Sequence, residues 1–418
     1  MLPRVKIQFL NGQLGTVGES ADGLMALICG VYIPDPENAE NIENAENAEN
    51  NAEPLPMPLN SIYVIRSMDD LVALGVTSDD ERYAVLYKQC KEFYDEAGSG
   101  VKLILYPVDS KTTVTDICDY TKTAEGYARD LITRQNGALR GIGIAGVNTE
   151  SGDDSTEGLD PDVFTALPNA QQLAEWATTE LYAPLFFAIA GDAYDPLREL
   201  KDLSSEAYNR CLVVIGDTVK NSSNAAMGTL LGRIASIPVQ RNIGRVKDGA
   251  LFPLEMYVGA KKVEECSSEI AEIFDKRYIV PRKHVGRSGY YFADDQMACM
   301  PTDDYAHLAN RRVIDKAYRI AYDTMLEELL DELELNEDGT LQHAVVKSWQ
   351  QTLTNAINRQ MTANGELSSD AEGNGCVCYI DAKQNVVSTS RIVVTLKVRP
   401  HGYSRYIDVN LGFQVTNA

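Results

Sequence analysis

Arg140-Gly141-Ile142-Gly143-Ile144-Ala145-Gly146-Val147 is an apolar run with three glycines inside it. The spacing matches G-x-G-x-x-G. In a dinucleotide site that pattern follows a strand and opens a helix whose N-terminus meets the pyrophosphate. Here the glycines lie within the run itself, and the acidic, Gly/Ser-rich stretch 148–161 comes next instead of a helix. Acids at that point would repel a phosphate. The run therefore reads as a close-packed central strand, and 148–161 as a surface loop.

Outward from this strand the chain alternates. Apolar runs predict strands at 24–32, 62–66, 101–108, 140–147, 184–190, 211–216 and 251–258. Helical periodicity predicts helices at 69–74, 80–97, 123–134, 162–181, 222–236 and 262–274. Strands that alternate with helices point to an α/β sheet with crossover helices, here a body spanning 21–280. It carries a low-complexity insertion at 34–58, where Glu-Asn-Ala triplets are bracketed by prolines 34, 36, 54, 56 and 58. A period of three fits no helix and offers little to bury, so the insertion reads as surface chain without chemistry.

The composition narrows the function. The 418 residues are 44% hydrophobic and 24% charged, as in folded globular proteins. A net charge of −23 argues against a general nucleic-acid binder, which needs a basic face. The first residues lack the apolar segment of a signal peptide, and no run of apolar residues is long enough for a membrane span. Eight scattered cysteines, among them Cys29, Cys118 and Cys211 in apolar runs, suit a reducing compartment. Cys376 and Cys378 form the one close pair. A strand would put both on one face, but no second pair stands beside them to complete a zinc site.

Residues 301–361 read as two long helices joined by a short turn. Pro301, Thr302, Asp303 and Asp304 supply a start signal, and Leu308, Ile314, Ala317, Tyr318, Ala321, Met325, Leu329 and Leu333 form one apolar stripe. Arg311, Asp315 and Arg319 are spaced so that the aspartate can meet an arginine on either side as structural ion pairs. The first helix is expected to end in Glu327, Glu328, Asp331, Glu332 and Glu334, the wrong sign for a helix C-terminus. Such acids either wait for something positive or form a solvated face. The second helix has a narrow seam at Leu341, Val345, Trp349, Leu353, Ile357 and Met361. From Gly339 to Gly365 there is no acid, where the chain average would give about four. Its polar side, with Lys347, Gln351, Asn355 and Arg359, therefore reads as a contact face selected against repulsion. A closing β-hairpin is expected from 392–399 and 406–415, the latter alternating cleanly through Ile407, Val409, Leu411 and Phe413.

Asp303, Asp304 and His307 could present ligands from one helical turn, but no second cluster completes a metal site. No catalytic motif of the G-x-S-x-G, H-E-x-x-H or P-loop type occurs. Both ends of the chain alternate as strands, with Val5, Ile7 and Phe9 at the N-terminus. A terminal strand can pair within its own subunit or add to the edge of another chain.

Three blocks carry a resemblance to the tail sheath proteins of contractile phage tails and related injection systems. The first runs from Ala226 through Gly228, Gly232-Arg233 and Ile237-Pro238-Val239-Gln240-Arg241-Asn242 to Val246. The second is Gly286-Arg287-Ser288-Gly289-Tyr290-Tyr291-Phe292-Ala293-Asp294-Asp295, followed by Asp304-Tyr305 and Arg311-Arg312-Val313-Ile314-Asp315-Lys316-Ala317. The third is the helix around Trp349, a Gly-rich turn and the closing strands to Phe413. Together they span 226–415. The N-terminal half matches in outline only, and the Glu-Asn-Ala insertion has no counterpart in the family.

The resemblance implies a structural subunit, with no enzyme activity, cofactor or metal. It implies an N-terminal arm at 1–20, the body at 21–280 and a C-terminal sheath domain at 281–418. Such subunits polymerise helically as six-fold rings around an inner tube, exchange terminal strands, and contract to drive the tube through a target envelope. The implied partners are further copies, the tube protein, and baseplate and tail terminator proteins, with no nucleic acid or membrane. The implied location is a virion tail or phage-tail-like particle assembled in the bacterial host cytoplasm. On this reading Val5, Ile7, Phe9, Ile407, Val409, Leu411 and Phe413 form inter-subunit arms. Lys347, Gln351, Asn355 and Arg359 face the tube. The alternatives are a nucleotide-binding α/β enzyme whose last strands dimerise it, or another tail or baseplate structural protein.

Overall fold

The computed structural model describes residues 21–34, 54–148 and 157–413. The N-terminal strand with Val5, Ile7 and Phe9, the Glu-Asn-Ala repeat and residues 149–156 of the expected loop lie outside the described residues.

The body is built on β1 (Met25–Val31), β2 (Tyr63–Ile65), β3 (Leu103–Asp109), β4 (Gly141–Ala145), β5 (Phe186–Ala190) and, after the two-residue β6 (Ala207–Tyr208), β7 (Cys211–Val214). Without β6, these strands form one six-stranded sheet of order β2-β3-β1-β4-β5-β7. All neighbours are parallel except β2, which runs antiparallel to β3 at the edge. Every residue of β1, β4, β5 and β7 is buried. That burial explains their uninterrupted apolar runs, because helices cover both faces of such a sheet. The connecting helices are α1 (Met68–Ala73), α2 (Ala84–Ala97), α3 (Val114–Cys118), α4 (Ala128–Arg134), α5 (Pro161–Glu180) and α6 (Met227–Ser236). Five two-residue strands follow: β8 (Tyr257–Val258), β9 (Lys261–Lys262), β10 (Pro281–Arg282), β11 (Tyr291–Phe292) and β12 (Ala298–Cys299). α7 is Ser267–Asp275 and α8 is Leu308–Leu326. After it come α9 (His343–Ile357), β13 (Cys376–Ile380), α10 (Val386–Thr389) and β14 (Val394–Val398).

Local chemistry sets the helix starts. Ser67 caps α1 and Thr113 caps α3 through their side-chain oxygens. Asp160 accepts from the Asp162 amide, and Pro161 occupies the first position of α5. Asp162 in turn accepts from the amides of Val114 and Thr115 at 2.5 and 3.2 Å, so α5 supports the start of α3. Leu159 and Asp160 are buried, which corrects the expectation that 148–161 is surface loop throughout. The end of the 34–58 insertion is also pinned: Met57 is buried, and its carbonyl accepts from the Tyr83 hydroxyl at 2.7 Å.

Glycines let close contacts form. A Cβ on Gly141 would collide with the Phe186 ring, and one on Gly143 would lie 2.6 Å from Leu231. The glycines of the G-x-G-x-x-G run thus admit neighbours into the core, and no helix begins behind them. On α6, a Cβ on Gly228 would overlap the Gln89 carbonyl, so α2 and α6 cross at backbone contact.

Several expectations need correction. The strand expected at 251–258 shrinks to β8, because Pro253 cannot donate to a ladder. α8 begins at Leu308, not in the 301–304 turn, and it stops at Leu326 short of the acidic residues. The link to α9 is no short turn, since residues 327–342 lie between them. The hairpin near the C-terminus pairs β13 with β14 in the register Val377↔Lys397, while 406–413 form no strand. The 392–399 stretch has its partner upstream, which leaves the alternating tail without a strand partner among the described residues.

The chain divides into two compact units, Met1–Arg319 and Ile320–Ala418. The first holds the sheet and its large core. In the second, Leu341, Val346 and Ile380 form a small cluster, flanked by partly buried Leu333, Val345 and Trp349. Leu353, Ile357 and Met361 are buried along the same seam of α9 and the π turn Asn358–Thr362 that follows it.

Candidate functional site

The residues singled out from the sequence fall in three regions. The first is the start of α8. Arg311 donates to Asp315 Oδ1 at 2.7 Å, and Asp315 Oδ2 lies 3.3 Å from Arg210 Nη1. All three residues are buried. Arg319 does not complete this set. It donates instead to Asp22 Oδ1 at 2.9 Å, while Lys316 Nζ takes Asp22 Oδ2 at 2.7 Å. The second arginine on Asp315 comes from the residue before β7, 105 positions away, where helical spacing could not reveal it. Burial pushes the Asp22 carboxyl up, but the combined pull of Lys316 and Arg319 outweighs it and leaves it below the ordinary range. Arg312 donates to the Ile237 carbonyl at 3.1 Å. This region is a structural joint, built where the cationic first turns of α8 pack into the body.

The second region is the turn whose Asp303, Asp304 and His307 could present ligands. Asp303 spends its oxygens on the Tyr305 amide (2.7 Å) and on Asn209 (3.1 Å). The group that does converge is Asp294, Asp295 and His307, whose ligand atoms lie within 4.8 Å of one another. Asp295 is fully buried. Its Oδ1 accepts from Asn242 at 2.7 Å and lies 3.0 Å from His307 Nδ1. Its Oδ2 accepts from the Ala309 amide at 2.8 Å, and its main-chain carbonyl accepts from the Leu308 amide at 2.7 Å. These two bonds satisfy the first amides of α8, which have no partner inside the helix. Both carboxylate oxygens of Asp295 are therefore engaged, and the cluster reads as the cap that starts α8. Burial pushes the Asp295 carboxyl up to about 6, with His307 pulling it down and Asp294 pushing it further up. The sequence offers Asp294 and Asp295 as adjacent acids in a Gly/Tyr-rich block, but nothing in it pairs them with Asn242.

The third region lies in the C-terminal unit. Lys347, Gln351, Asn355 and Arg359 are all exposed and recur every fourth residue, so they form one stripe along α9 and its π turn. On β13, Cys376 and Ile380 face inward, while Val377 and Tyr379 face water. Cys378 shares the inner face with Cys376, and neither belongs to a ligand cluster among the described residues. Tyr406, Ile407, Val409, Leu411 and Phe413 are exposed, Phe413 completely. No helix among the described residues is long and apolar enough to cross a membrane.

A family model described as DUF2586, N-terminal domain, matches residues 51–296, and its companion, DUF2586, C-terminal domain, matches 304–418. No curated protein matches in sequence. Among solved structures, a chain of the anti-feeding prophage baseplate is similar over 99% of both chains, at 14% identity and a TM-score of 0.60. A chain of the contracted PVC sheath complex, from an extracellular contractile injection system, is similar over 99% of this chain and 98% of that one, at 13% identity and a TM-score of 0.58. The sheath tail protein Lin1278 from Listeria innocua is similar over 92% of this chain and 93% of that one, at 10% identity and a TM-score of 0.50. At these identities the likeness is one of fold.

Proposed function

The chain belongs to the DUF2586 family, and from its sheath-protein fold and its open C-terminal tail we propose that it is a structural subunit of a contractile tail sheath. Copies polymerise helically in six-fold rings around an inner tube, and the sheath shortens to drive the tube through a target envelope. The partners are further copies, the tube protein, and baseplate and terminator proteins. The site of action is a virion tail or phage-tail-like particle assembled in the host cytoplasm, and the protein is not an enzyme.

The observation that carries this reading is the tail at 406–413. Its apolar residues alternate with Asp408, Asn410 and Gly412, the pattern of a strand with one buried face. Within the described chain that face is in water. Burying each large apolar side chain is worth about 1.5–3 kcal/mol. Each main-chain hydrogen bond gained by adding the strand to another subunit contributes about 1 kcal/mol net. A neighbour's sheet edge supplies both. The glycines of β4 favour this reading over a nucleotide enzyme, because side chains of α6 and β5 occupy the space behind them.

The test is electron microscopy of the purified full chain beside a version ending at Arg399. The full chain is expected to form hollow helical tubes, and the shortened chain to stay monomeric with an unchanged melting temperature. A full chain that remains monomeric, or a shortened chain that polymerises as well, overturns the reading. A baseplate role, which the likeness to the anti-feeding prophage chain also supports, would give closed rings that do not lengthen.

A further inference from the structure

Two surface features, one on each unit, carry charges of opposite sign, and most of these charges have no answering partner among the described residues. On the body, the loop 282–288 and α7 bound a groove of about 610 Å³. Val263, Ile270, Ala271, Phe274 and Ala293 give it an apolar lining. Arg282, Lys283 and Arg287 are exposed on the loop. Lys283 Nζ lies 3.4 Å from Glu264, which also accepts from the Tyr290 hydroxyl at 2.9 Å. The Arg282 and Arg287 guanidinium groups have no hydrogen-bond or ion-pair partner among the described residues. Burial and then these two arginines hold His284 below its ordinary pKa.

On the C-terminal unit, the chain leaves α8 at Leu326 and turns. Glu327, Glu328, Asp331, Glu332 and Glu334 follow, and none has a cation partner among the described residues. The first of them crowd a helix C-terminus, where the dipole is already negative. Leu329 and Leu330 lie between them and are exposed, Leu330 at 96% with φ +66°. A turn that presents two exposed leucines flanked by acids matches a groove that presents an apolar floor beneath two arginines.

We propose that the groove between α7 and the 282–288 loop receives the acidic, leucine-bearing turn 327–332 of a second copy of the chain. The leucines enter the apolar floor, and the acids meet Arg282, Arg287 and Lys283. The proposal rests on the self-assembly read above, and it names a contact separate from the tail. In a chain of net charge −23, copies repel one another on average. A joint of opposite charges lets them approach in one orientation, because complementary potentials steer encounter and fix register.

The test has two arms. In the first, R282E/R287E and E327K/E328K/D331K/E332K are each purified and scored for polymer yield by pelleting. Each is expected to lose about tenfold or more, and an equimolar mixture of the two to recover most of the yield. In such a mixture every groove and every turn finds its complement only on the other variant. Wild-type yield from either variant alone overturns the proposal. Recovery only when both sets of changes share one chain also overturns it.

The second arm does not depend on tubes. A fluorescent peptide of residues 326–335 is titrated onto the full chain and read by anisotropy. Saturable binding is expected to weaken about tenfold or more with R282E/R287E, with added salt, and with Leu329 and Leu330 both changed to Ser in the peptide. Absent binding, binding indifferent to R282E/R287E, or full competition by inorganic phosphate with no dependence on the leucines overturns the proposal. Peptide binding by a full chain that forms no tubes supports this contact and counts against the sheath reading alone.

Discussion

The body and the C-terminal unit are built to different degrees of completion. In the body, β1 has a parallel neighbour on each side, and all seven of its residues are buried. In the C-terminal unit, β13 and β14 form a sheet of two strands, with Val377 and Tyr379 in water on its outer face. A two-stranded ribbon is marginal unless something else covers it. The body thus encloses its own core, whereas the C-terminal unit leaves apolar surface that another chain can finish. The difference suits a subunit that must stay folded while its joints to neighbours move.

The sharpest way to break this contrast is to damage the body from within. Asp315→Ala would leave Arg210 and Arg311 buried without their shared ion-pair partner. Removing one partner of a buried ionic set costs about 3–5 kcal/mol, because the remaining charge has lost its solvent and its partner together. Denaturant unfolding of the monomer, followed by Trp176 fluorescence in a W349F background, should show that loss in the body. A loss under about 1 kcal/mol would mean that the backbone carbonyl of Leu185, 3.1 Å from Arg210, already satisfies the arginine.

A second test acts through pH. Burial raises Asp295 to about 6 in the folded chain, against an ordinary carboxyl near 4 when unfolded. The folded state therefore holds this proton more tightly than the unfolded state. The stabilisation from protonation is fully present below about pH 4 and is lost as pH rises through about 6. Wild-type stability measured relative to Asp295→Asn should therefore grow on going from pH 7 to pH 4, by up to about 3 kcal/mol. Using the difference removes the contribution of carboxylates such as Asp22, whose lowered pKa gives the opposite slope. A flat or reversed difference would show that the donors around Asp295 hold it ionised, and that burial is the weaker effect.

The features that these experiments probe are unevenly legible in the sequence. The central strands are plain there because burial on both faces leaves an unbroken apolar run, as in β1 and β5. α3 escapes notice because five residues hold too little periodicity to see, and its support comes from Asp162 on another helix. The start of α8 is hidden for a related reason. Asp303 and Asp304 do sit in a turn, but the carboxylate that serves the helix belongs to Asp295. The cysteine pair at 376 and 378 hints at a strand, yet nothing local tells that β13 is the partner of 392–399. The tail's alternation is visible without any account of its partner, so the expected hairpin with 392–399 is the wrong pairing of a real pattern. The acid-free stretch from Gly339 to Gly365 is the most direct signal. Its composition alone sets it apart, and the structure leaves Lys347, Gln351, Asn355 and Arg359 in solvent on one stripe.

That stripe gives the smallest effect on folding and the most selective one on assembly. Lys347→Glu with Arg359→Glu reverses two exposed charges that make no ion pair among the described residues. Surface changes of this kind stay within about 0.5 kcal/mol, so the melting temperature should hardly move. Arg359 lies where a cation complements the end of α9, and its reversal should account for most of whatever loss appears. If α9 faces the tube, the reversal places two acids where the chain otherwise excludes them from Gly339 to Gly365. Co-assembly of the variant with purified tubes should then fall, while tube-free polymers, which need contacts between copies and no tube, form as before. Equal loss in both assays would move the stripe to a contact between copies, and no loss in either would leave its lack of acids without a role in assembly.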